Sequence, residues 1–150
     1  MSARPYKPKD SPTLIPYLTV KDAKKSIEFY EKAFGFKVEG EPMEMDGKIT
    51  HVGMRFNDAA IMFAPEGTFG GDCQTPKDSG VKPSFNLYIY CEDVDRLHER
   101  AVKAGARSEW PPENMFWGDR MCKLVDPDGY IWNFAKNVGE FDASKIPNNV

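Results

Sequence analysis

An internal repeat constrains the fold of this 150-residue chain more than any other feature of its sequence. Three pairs of matching residues are 71 positions apart: Asp22 and Asp93, residues 32–33 and 103–104, and Phe63 and Phe134. The aspartates each precede a helical pattern, the dipeptides lie within it, and the phenylalanines lie in strand-like segments. Because three separate patterns share one offset, the sequence predicts two copies of one supersecondary unit in tandem.

Each half combines one helical pattern with segments in which apolar and polar residues alternate. In the first half, strands are predicted at residues 13–20, 49–56 and 59–64, with a helix between Asp22 and Gly35. An aspartate before the first turn and a glycine after the last turn are typical helix ends. The first half therefore has strands on both sides of one helix.

The second half has the same order and follows a Gly- and Pro-rich connector at residues 67–83. Its predicted elements are strands at residues 85–91, 120–125 and 130–135 and a helix from Asp93 to Gly105. The predicted fold class is α+β: two tandem βαβββ modules form curled mixed sheets around a cleft, with helices on the outer face. The predicted segments are an N-terminal tail 1–12, a first module 13–66, the linker 67–83, a second module 84–137 and a C-terminal tail 138–150, with residues 13–137 forming one domain.

Composition argues against several classes of partner. The net charge is −3, no run of Lys and Arg is present, and we therefore expect no nucleic-acid or membrane partner. No apolar stretch approaches the roughly 20 residues that span a bilayer, and no secretory signal is recognisable. Three cysteines without C-x-x-C spacing favour reduced thiols and a cytoplasmic location.

Two motifs resemble those of a known superfamily. The segment at residues 16–36, with Ser26-Ile27-Glu28-Phe29-Tyr30, is similar to the opening module of vicinal oxygen chelate proteins. Trp117-Gly118-Asp119-Arg120 and Asp126-Pro127-Asp128-Gly129-Tyr130 resemble their closing signature. This superfamily includes glyoxalase I, bleomycin and fosfomycin resistance proteins and extradiol dioxygenases, and the chain looks most like the bleomycin-resistance-like and PhnB-like branches. The resemblance also implies a homodimer.

The resemblance implies four positions for metal ligands, and here they carry Ile15, Met62, Asn86 and Asn133. Isoleucine has no donor atom, methionine is too soft for magnesium or manganese, and neutral amides bind hard cations weakly. The chain has only two histidines, and we do not expect them to meet at one site. The sequence therefore predicts no metal and no cofactor.

Alternation along the strands also predicts which side chains face the cleft. The inward set lines an aromatic and apolar hollow with a few polar groups, the usual composition of a small-molecule pocket. Its candidate ligand-binding residues are Tyr17, Arg55, Met62, Asn86, Tyr88, Tyr90, Trp117, Arg120 and Asn133, with His51 as the candidate general base. Cys122 and Leu124 are predicted to face the same side as Arg120.

Several of these residues have two interpretations. Tyr88 and Tyr90 either fill the interior or stack on a ligand, and Trp117 either stacks on a planar ligand or covers an apolar gap at a subunit boundary. Arg55 and Arg120 either hold a carboxylate or phosphate or pair with acids, for which Asp119 and Glu44 are candidates.

Two functions of different classes follow. The first is a metal-independent homodimer that sequesters a small aromatic or amphipathic molecule, as the resemblance to resistance proteins implies. The alternative is a metal-free isomerase, lyase or hydrolase, in which His51 is the base and Arg120 or Arg55 anchors an anion. A metal-dependent lyase of the glyoxalase type is a distant third.

Overall fold

The computed structural model describes residues 2–149, which form two compact units. One unit comprises residues up to 31 and 35–74, and the other comprises residues 32–34 and those from 75 onwards. No helix in the described part of the chain is long and apolar enough to cross a membrane.

The first unit contains a mixed sheet and one main helix. Its elements are β1 (Tyr17–Val20), α1 (Ala23–Phe29), β2 (Lys37–Val38), β3 (Met43–Met45), β4 (Lys48–Phe56) and β5 (Ala59–Pro65). A π-helical turn, Tyr30–Phe34, continues α1 and ends at Gly35 in the left-handed conformation. The strand order is β1-β5-β4-β2, with β3 also paired to β4; β1 and β5 are parallel, and the other pairs are antiparallel.

The second unit has the same arrangement. Its elements are α2 (Pro76–Ser79), β6 (Leu87–Tyr90), α3 (Val94–Lys103), β7 (Arg107–Asn114), β8 (Asp119–Val125) and β9 (Ile131–Asn137). The strand order is β6-β9-β8-β7, with β6 and β9 parallel and the other pairs antiparallel. The predicted α+β class with two mixed sheets is confirmed.

The register of the sheets reproduces the internal repeat. Tyr17 pairs with Met62 in the first sheet, and Tyr88 pairs with Asn133 in the second, so both members of the pair shift by 71 positions. The helix caps match as well. The Asp22 carboxylate accepts a hydrogen bond from the Lys25 amide at 3.1 Å, and α3 has the equivalent bond from Arg96 to Asp93 at 3.0 Å.

Strand β7 was not predicted from the sequence. It contains Pro111 and Pro112, which cannot donate to a ladder, and its pairing with β8 is interrupted at two register shifts. Such a strand is tolerated at a sheet edge, where β7 lies. In the first unit, β1 begins at Tyr17 rather than residue 13, and Leu14 is exposed.

One prediction about side-chain faces is wrong. In the first sheet Val52 pairs with Phe63, whereas in the second Cys122 pairs with Phe134, so β8 follows an offset of 70 while β9 follows 71. A one-residue slip moves every side chain of a strand to the other face. Arg120, Cys122 and Leu124 therefore lie on the opposite face from Asn133, and Asp119, Met121 and Lys123 take the predicted inward positions.

Candidate functional site

Three aromatic side chains of the second unit converge on one buried carboxylate. The hydroxyl groups of Tyr88 and Tyr90 donate to Oδ2 of Asp119 at 2.8 and 2.9 Å. The indole Nε1 of Trp117 donates to the Tyr88 hydroxyl oxygen at 3.3 Å. Asn137 completes the set by donating from Nδ2 to the other carboxylate oxygen of Asp119 at 3.2 Å. We call Tyr88, Tyr90, Trp117 and Asp119 the aromatic cluster.

The sheet register places these residues together. Alternation along β6 puts Tyr88 and Tyr90 on one face, and Tyr90 pairs with Ala135 of β9. Asp119 pairs with Asn137 near the same end of β9. Ala135 and Asn137 are two residues apart on β9, so their side chains and those of their partners Tyr90 and Asp119 lie on one face of the sheet. This register brings the tyrosine hydroxyls near Asp119, the first residue of β8.

The rings are accessible although the carboxylate is not. Tyr88, Tyr90 and Trp117 are 43%, 59% and 39% exposed, whereas Asp119 is 4% exposed. Their polar atoms are nevertheless fixed by the hydrogen bonds to Asp119 and to one another. The cluster therefore presents aromatic surface to solvent in a fixed orientation, which reduces the entropy that binding would cost.

Hydrogen bonding keeps Asp119 ionised. Burial by itself raises the pKa of this carboxyl. The hydrogen bonds from Tyr88, Asn137 and Tyr90 lower the pKa by more than burial raises it, so the pKa lies below its ordinary value. The same interaction acts oppositely on the phenols. Burial, together with the bond to Asp119, raises the pKa of Tyr88 to about 12, although the bond from Trp117 opposes the shift. The bond to Asp119 also raises the pKa of Tyr90. Both phenols therefore stay neutral near neutral pH.

Gly118 fixes the backbone between Trp117 and Asp119. Its φ is +101°, a conformation that favours glycine, and an added Cβ would lie 2.5 Å from the carbonyl oxygen of Gly139. The amide of Val138 donates to the Gly118 carbonyl at 2.9 Å. The chain after β9 is thus packed directly against the residue that orients the cluster.

Asn133 lies next to Tyr88 and carries an unsatisfied polar atom. The side chain is 4% exposed, and its Oδ1 has no hydrogen-bond partner among the described residues. Its Nδ2 has only long contacts, to Met121 Sδ at 3.7 Å and the Cys122 carbonyl at 3.5 Å. A buried acceptor of this kind calls for a specific explanation.

The four positions implied for metal ligands do not fit a divalent metal. Asn86 is exposed and precedes β6, and Asn133 contributes one neutral oxygen. Ile15 has no donor and Met62 offers only a thioether, so the set contains no anionic ligand. Within residues 2–149, no group of three or more His, Cys, Asp or Glu residues could hold a metal ion.

The first unit brings together three of the predicted residues. The Tyr17 hydroxyl lies 2.8 Å from Nδ1 of His51, and their ring centroids are 5.6 Å apart. Met62 pairs with Tyr17 on one side and Gly53 on the other. Tyr17 is 58% exposed, so this histidine–tyrosine pair is accessible to a small molecule.

Both candidate arginines are occupied by acids. Arg55 forms a bidentate pair with Glu39 at 2.6 and 2.9 Å and also donates to the Asp10 carbonyl at 3.0 Å. Arg120 forms a bidentate pair with Asp95 of α3, with both contacts at 2.7 Å. Of the two interpretations of these arginines, the structure therefore shows pairing with acids. The partners are Glu39 and Asp95, and not the candidates Asp119 and Glu44.

The cysteines offer no activated thiol in the second unit. Cys122 is fully buried, and burial raises its pKa to about 11. Burial likewise raises the pKa of Cys91. Because the thiolate is the nucleophile, both side chains are unreactive near neutral pH.

The key residue that sequence reasoning missed as a site residue is Asp119. The face prediction for β8 is one residue out of register, so the sequence predicts Asp119 only as a candidate ion-pair partner for Arg55 or Arg120. The available signal was its position in Trp117-Gly118-Asp119-Arg120, directly after a candidate aromatic residue. Asn137, which fell at the predicted end of the second module, gave no such signal.

Comparison with known proteins agrees with the fold. The family model of the Glyoxalase/Bleomycin resistance protein/Dioxygenase superfamily matches residues 13–134. Uncharacterized protein Mb0911c of Mycobacterium bovis is 35% identical over 138 residues, which cover 90% of each chain. Among solved structures, TioX from Micromonospora sp. ML1 is similar with a TM-score of 0.66 at 20% identity, covering 85% of this chain and 100% of TioX. A glyoxalase-related enzyme from Fulvimarina pelagi has a TM-score of 0.58 at 22% identity, covering 83% of this chain and 88% of that enzyme. This chain belongs to the Glyoxalase/Bleomycin resistance protein/Dioxygenase superfamily.

Proposed function

We propose that this protein binds a small planar aromatic molecule on its aromatic cluster, without a metal ion. The observation that carries the proposal is the set of three exposed rings whose polar atoms are fixed on the buried Asp119. Stacking on fixed rings gives affinity at low entropic cost and requires no catalytic group. Sequestration of a ligand, as in resistance proteins, is the function that this arrangement supports best.

The hydrogen bonds also indicate what kind of aromatic molecule would fit. The tyrosine hydroxyls donate their protons to Asp119, and the Tyr88 oxygen also accepts from Trp117, so the Tyr90 oxygen presents lone pairs to a ligand. The ligand class is therefore a planar ring that carries N–H or O–H donors.

Tryptophan fluorescence tests this proposal, since the chain has three tryptophans and only Trp117 belongs to the cluster. We expect 4-aminoquinoline to quench the fluorescence saturably and 4-(dimethylamino)quinoline, which keeps the positive charge but lacks the amine donors, to bind about tenfold more weakly. Trp117→Phe should lose most of the quenching. Trp110→Phe is the matched control, because Trp110 is similarly exposed and donates to Glu113 outside the cluster.

Equal quenching in wild type and Trp117→Phe would contradict the proposal, as would the absence of saturable binding by either compound.

We further propose a homodimer in a reducing, cytoplasmic environment. The three cysteines, all free, agree with that environment. A sedimentation mass of one 17.0 kDa chain would contradict the dimer.

A second candidate function is a metal-independent enzyme. The observation that favours it is the 2.8 Å contact between Tyr17 and Nδ1 of His51, through which a proton can pass between phenol and imidazole. Neither arginine proposed as an anion anchor is free of an acid partner, which makes this candidate the weaker one.

His51→Gln tests the enzymatic alternative. The variant should abolish any turnover of 4-nitrophenyl esters while unfolding at the same temperature as wild type, because His51 is half-buried on an accessible face. Tyr17→Phe should reduce the same rate and leave folding intact. An unchanged rate in His51→Gln would exclude its role as the base.

A further inference from the structure

A cavity of about 540 Å³ opens in the second unit, away from the aromatic cluster. It lies at the beginning of β9, beside Ile131, whereas Asp119 pairs with Asn137 at the end of that strand. Cavities of 300–1,000 Å³ are the usual size for small-molecule sites. The residues of the aromatic cluster do not line it.

The floor of the cavity is apolar. Val125 and Ile131 pair across β8 and β9, lie on the same sheet face and are 7% and 3% exposed. Arg107 pairs with Val125 from the edge strand β7, so its side chain begins at the border of this floor. An aliphatic chain or a ring placed here would be shielded from water by the sheet.

One wall of the cavity is held in place by backbone contacts. The wall includes residues 76–77 and 80–83, and the Lys77 amide donates to the Asp128 carbonyl at 2.9 Å. Gly129 makes this close approach possible: its φ is +97°, and an added Cβ would lie 3.0 Å from the Lys77 nitrogen. Backbone contacts therefore hold this part of the wall against the β8–β9 turn.

The rim of the cavity carries an excess of positive charge. Its cations are Lys77, Lys82 and Arg107, and its acids are Glu109 and Asp126. Glu109 is paired with Arg107 and with Lys123, each at 3.3 Å. The buried Asp126 carboxylate accepts from the Trp132 indole at 2.9 Å and from two backbone amides. In contrast, neither Lys77 nor Lys82 has a carboxylate within 4.0 Å among residues 2–149, although the charge of Lys82 also acts on Glu109.

We propose that this cavity binds a small amphipathic carboxylate. The apolar part would lie on Val125 and Ile131, and the carboxylate would be held by the ammonium groups of Lys77 and Lys82. The site is independent of the aromatic cluster, because it shares none of its residues and needs no stacking. Its ligand is thus recognised by one negative charge joined to an apolar chain.

Octanoate is the probe, and its binding can be followed by calorimetry. We expect octanoate to bind saturably. Acetate lacks the apolar chain, octanol lacks the charge and octylammonium carries a positive charge, so each should bind at least tenfold more weakly. The double variant Lys77→Ala/Lys82→Ala should weaken octanoate binding at least tenfold. Lys24→Ala/Lys25→Ala is the matched control: it removes two exposed lysines from α1, changes the net charge equally and should bind octanoate normally.

Val81→Glu provides a second test that spares the fold, since Val81 lines the cavity and is 67% exposed. Its added carboxylate should repel octanoate and weaken binding at least tenfold. Wild-type affinity in the Lys77/Lys82 double variant, equal binding of octylammonium, or equal binding of acetate would each overturn the proposal. Octanoate has no ring to quench Trp117, so these outcomes are independent of the fluorescence test for the aromatic cluster.

Discussion

Asp119→Ala should destabilise the protein and disorder the aromatic cluster at the same time. The substitution removes the acceptor of the Tyr88 and Tyr90 hydroxyls and of the Asn137 amide. Hydrogen bonds to a charged group contribute about 1.5–3 kcal/mol each, but the exposed rings can turn their hydroxyls to water. We therefore expect the free energy of unfolding to fall by about 2–4 kcal/mol, measured by urea denaturation.

The same variant should weaken the binding of 4-aminoquinoline at least tenfold, because the rings lose their fixed orientation. Asp72→Asn, at an exposed aspartate outside the cluster, is the control and should behave as wild type in both measurements. Wild-type stability together with wild-type affinity in Asp119→Ala would show that the carboxylate does not organise the cluster.

The pH dependence of the Asp119 effect has a definite sign. The pKa of Asp119 is lowered in the folded state. Its charge therefore contributes to the free energy of unfolding at pH values above its ordinary pKa of 3.8, and this contribution is lost as the pH falls through the lower pKa of the folded state. Asp119→Asn retains an acceptor oxygen but not the charge. The stability difference between wild type and Asp119→Asn should therefore be largest near neutral pH and shrink below about pH 4.

Asp126→Ala should be the more destabilising of the two alanine substitutions. This carboxylate is 4% exposed and accepts from the Trp132 indole and from the amides of Asp128 and Tyr130 in the β8–β9 turn. Trp132 is fully buried, so its Nε1 would lose this acceptor where water cannot replace it. The loss of these three hydrogen bonds to a buried charge gives an expected decrease of about 3–5 kcal/mol in the free energy of unfolding.

A double-mutant cycle isolates the contact between Asp126 and the indole. Trp132→Phe removes the donor while keeping a ring, and the cycle with Asp126→Ala should give a coupling energy of about 1–3 kcal/mol. Asp58→Ala, in the exposed turn between β4 and β5, is the matched control and should cost less than about 0.5 kcal/mol. Additive effects of the two substitutions would contradict a direct role for this hydrogen bond.

Local patterns in the sequence predicted much of the fold because they are repeated. The aspartate caps and the closing glycine of the first helix hold as predicted, since capping depends on nearest neighbours along the chain. The 71-residue offset correctly predicted the equivalence of Tyr17 and Tyr88 in their parallel sheet pairs. The predicted boundaries of the modules and the roles of the site residues stay predictions.

Register was the point at which sequence reasoning failed for the site. One offset was applied to every strand, but β8 is displaced by one residue relative to its repeat partner β4. This error placed Arg120 on the wrong face and concealed Asp119. The two arginines illustrate a related limit, because the sequence offered several acids and only the folded chain selects Glu39 and Asp95.

The sequence by itself determined the tandem architecture, the helix ends and the side-chain types at the four implied metal positions, since these follow from local periodicity and from residue chemistry. Only the tertiary structure decided that two tyrosines, a tryptophan and a buried aspartate form one network, and that two lysines lie beside an apolar cavity. The physical reason is that hydrogen bonds and ion pairs between distant residues depend on strand register. In a sheet, a shift of one residue exchanges the side chains that meet.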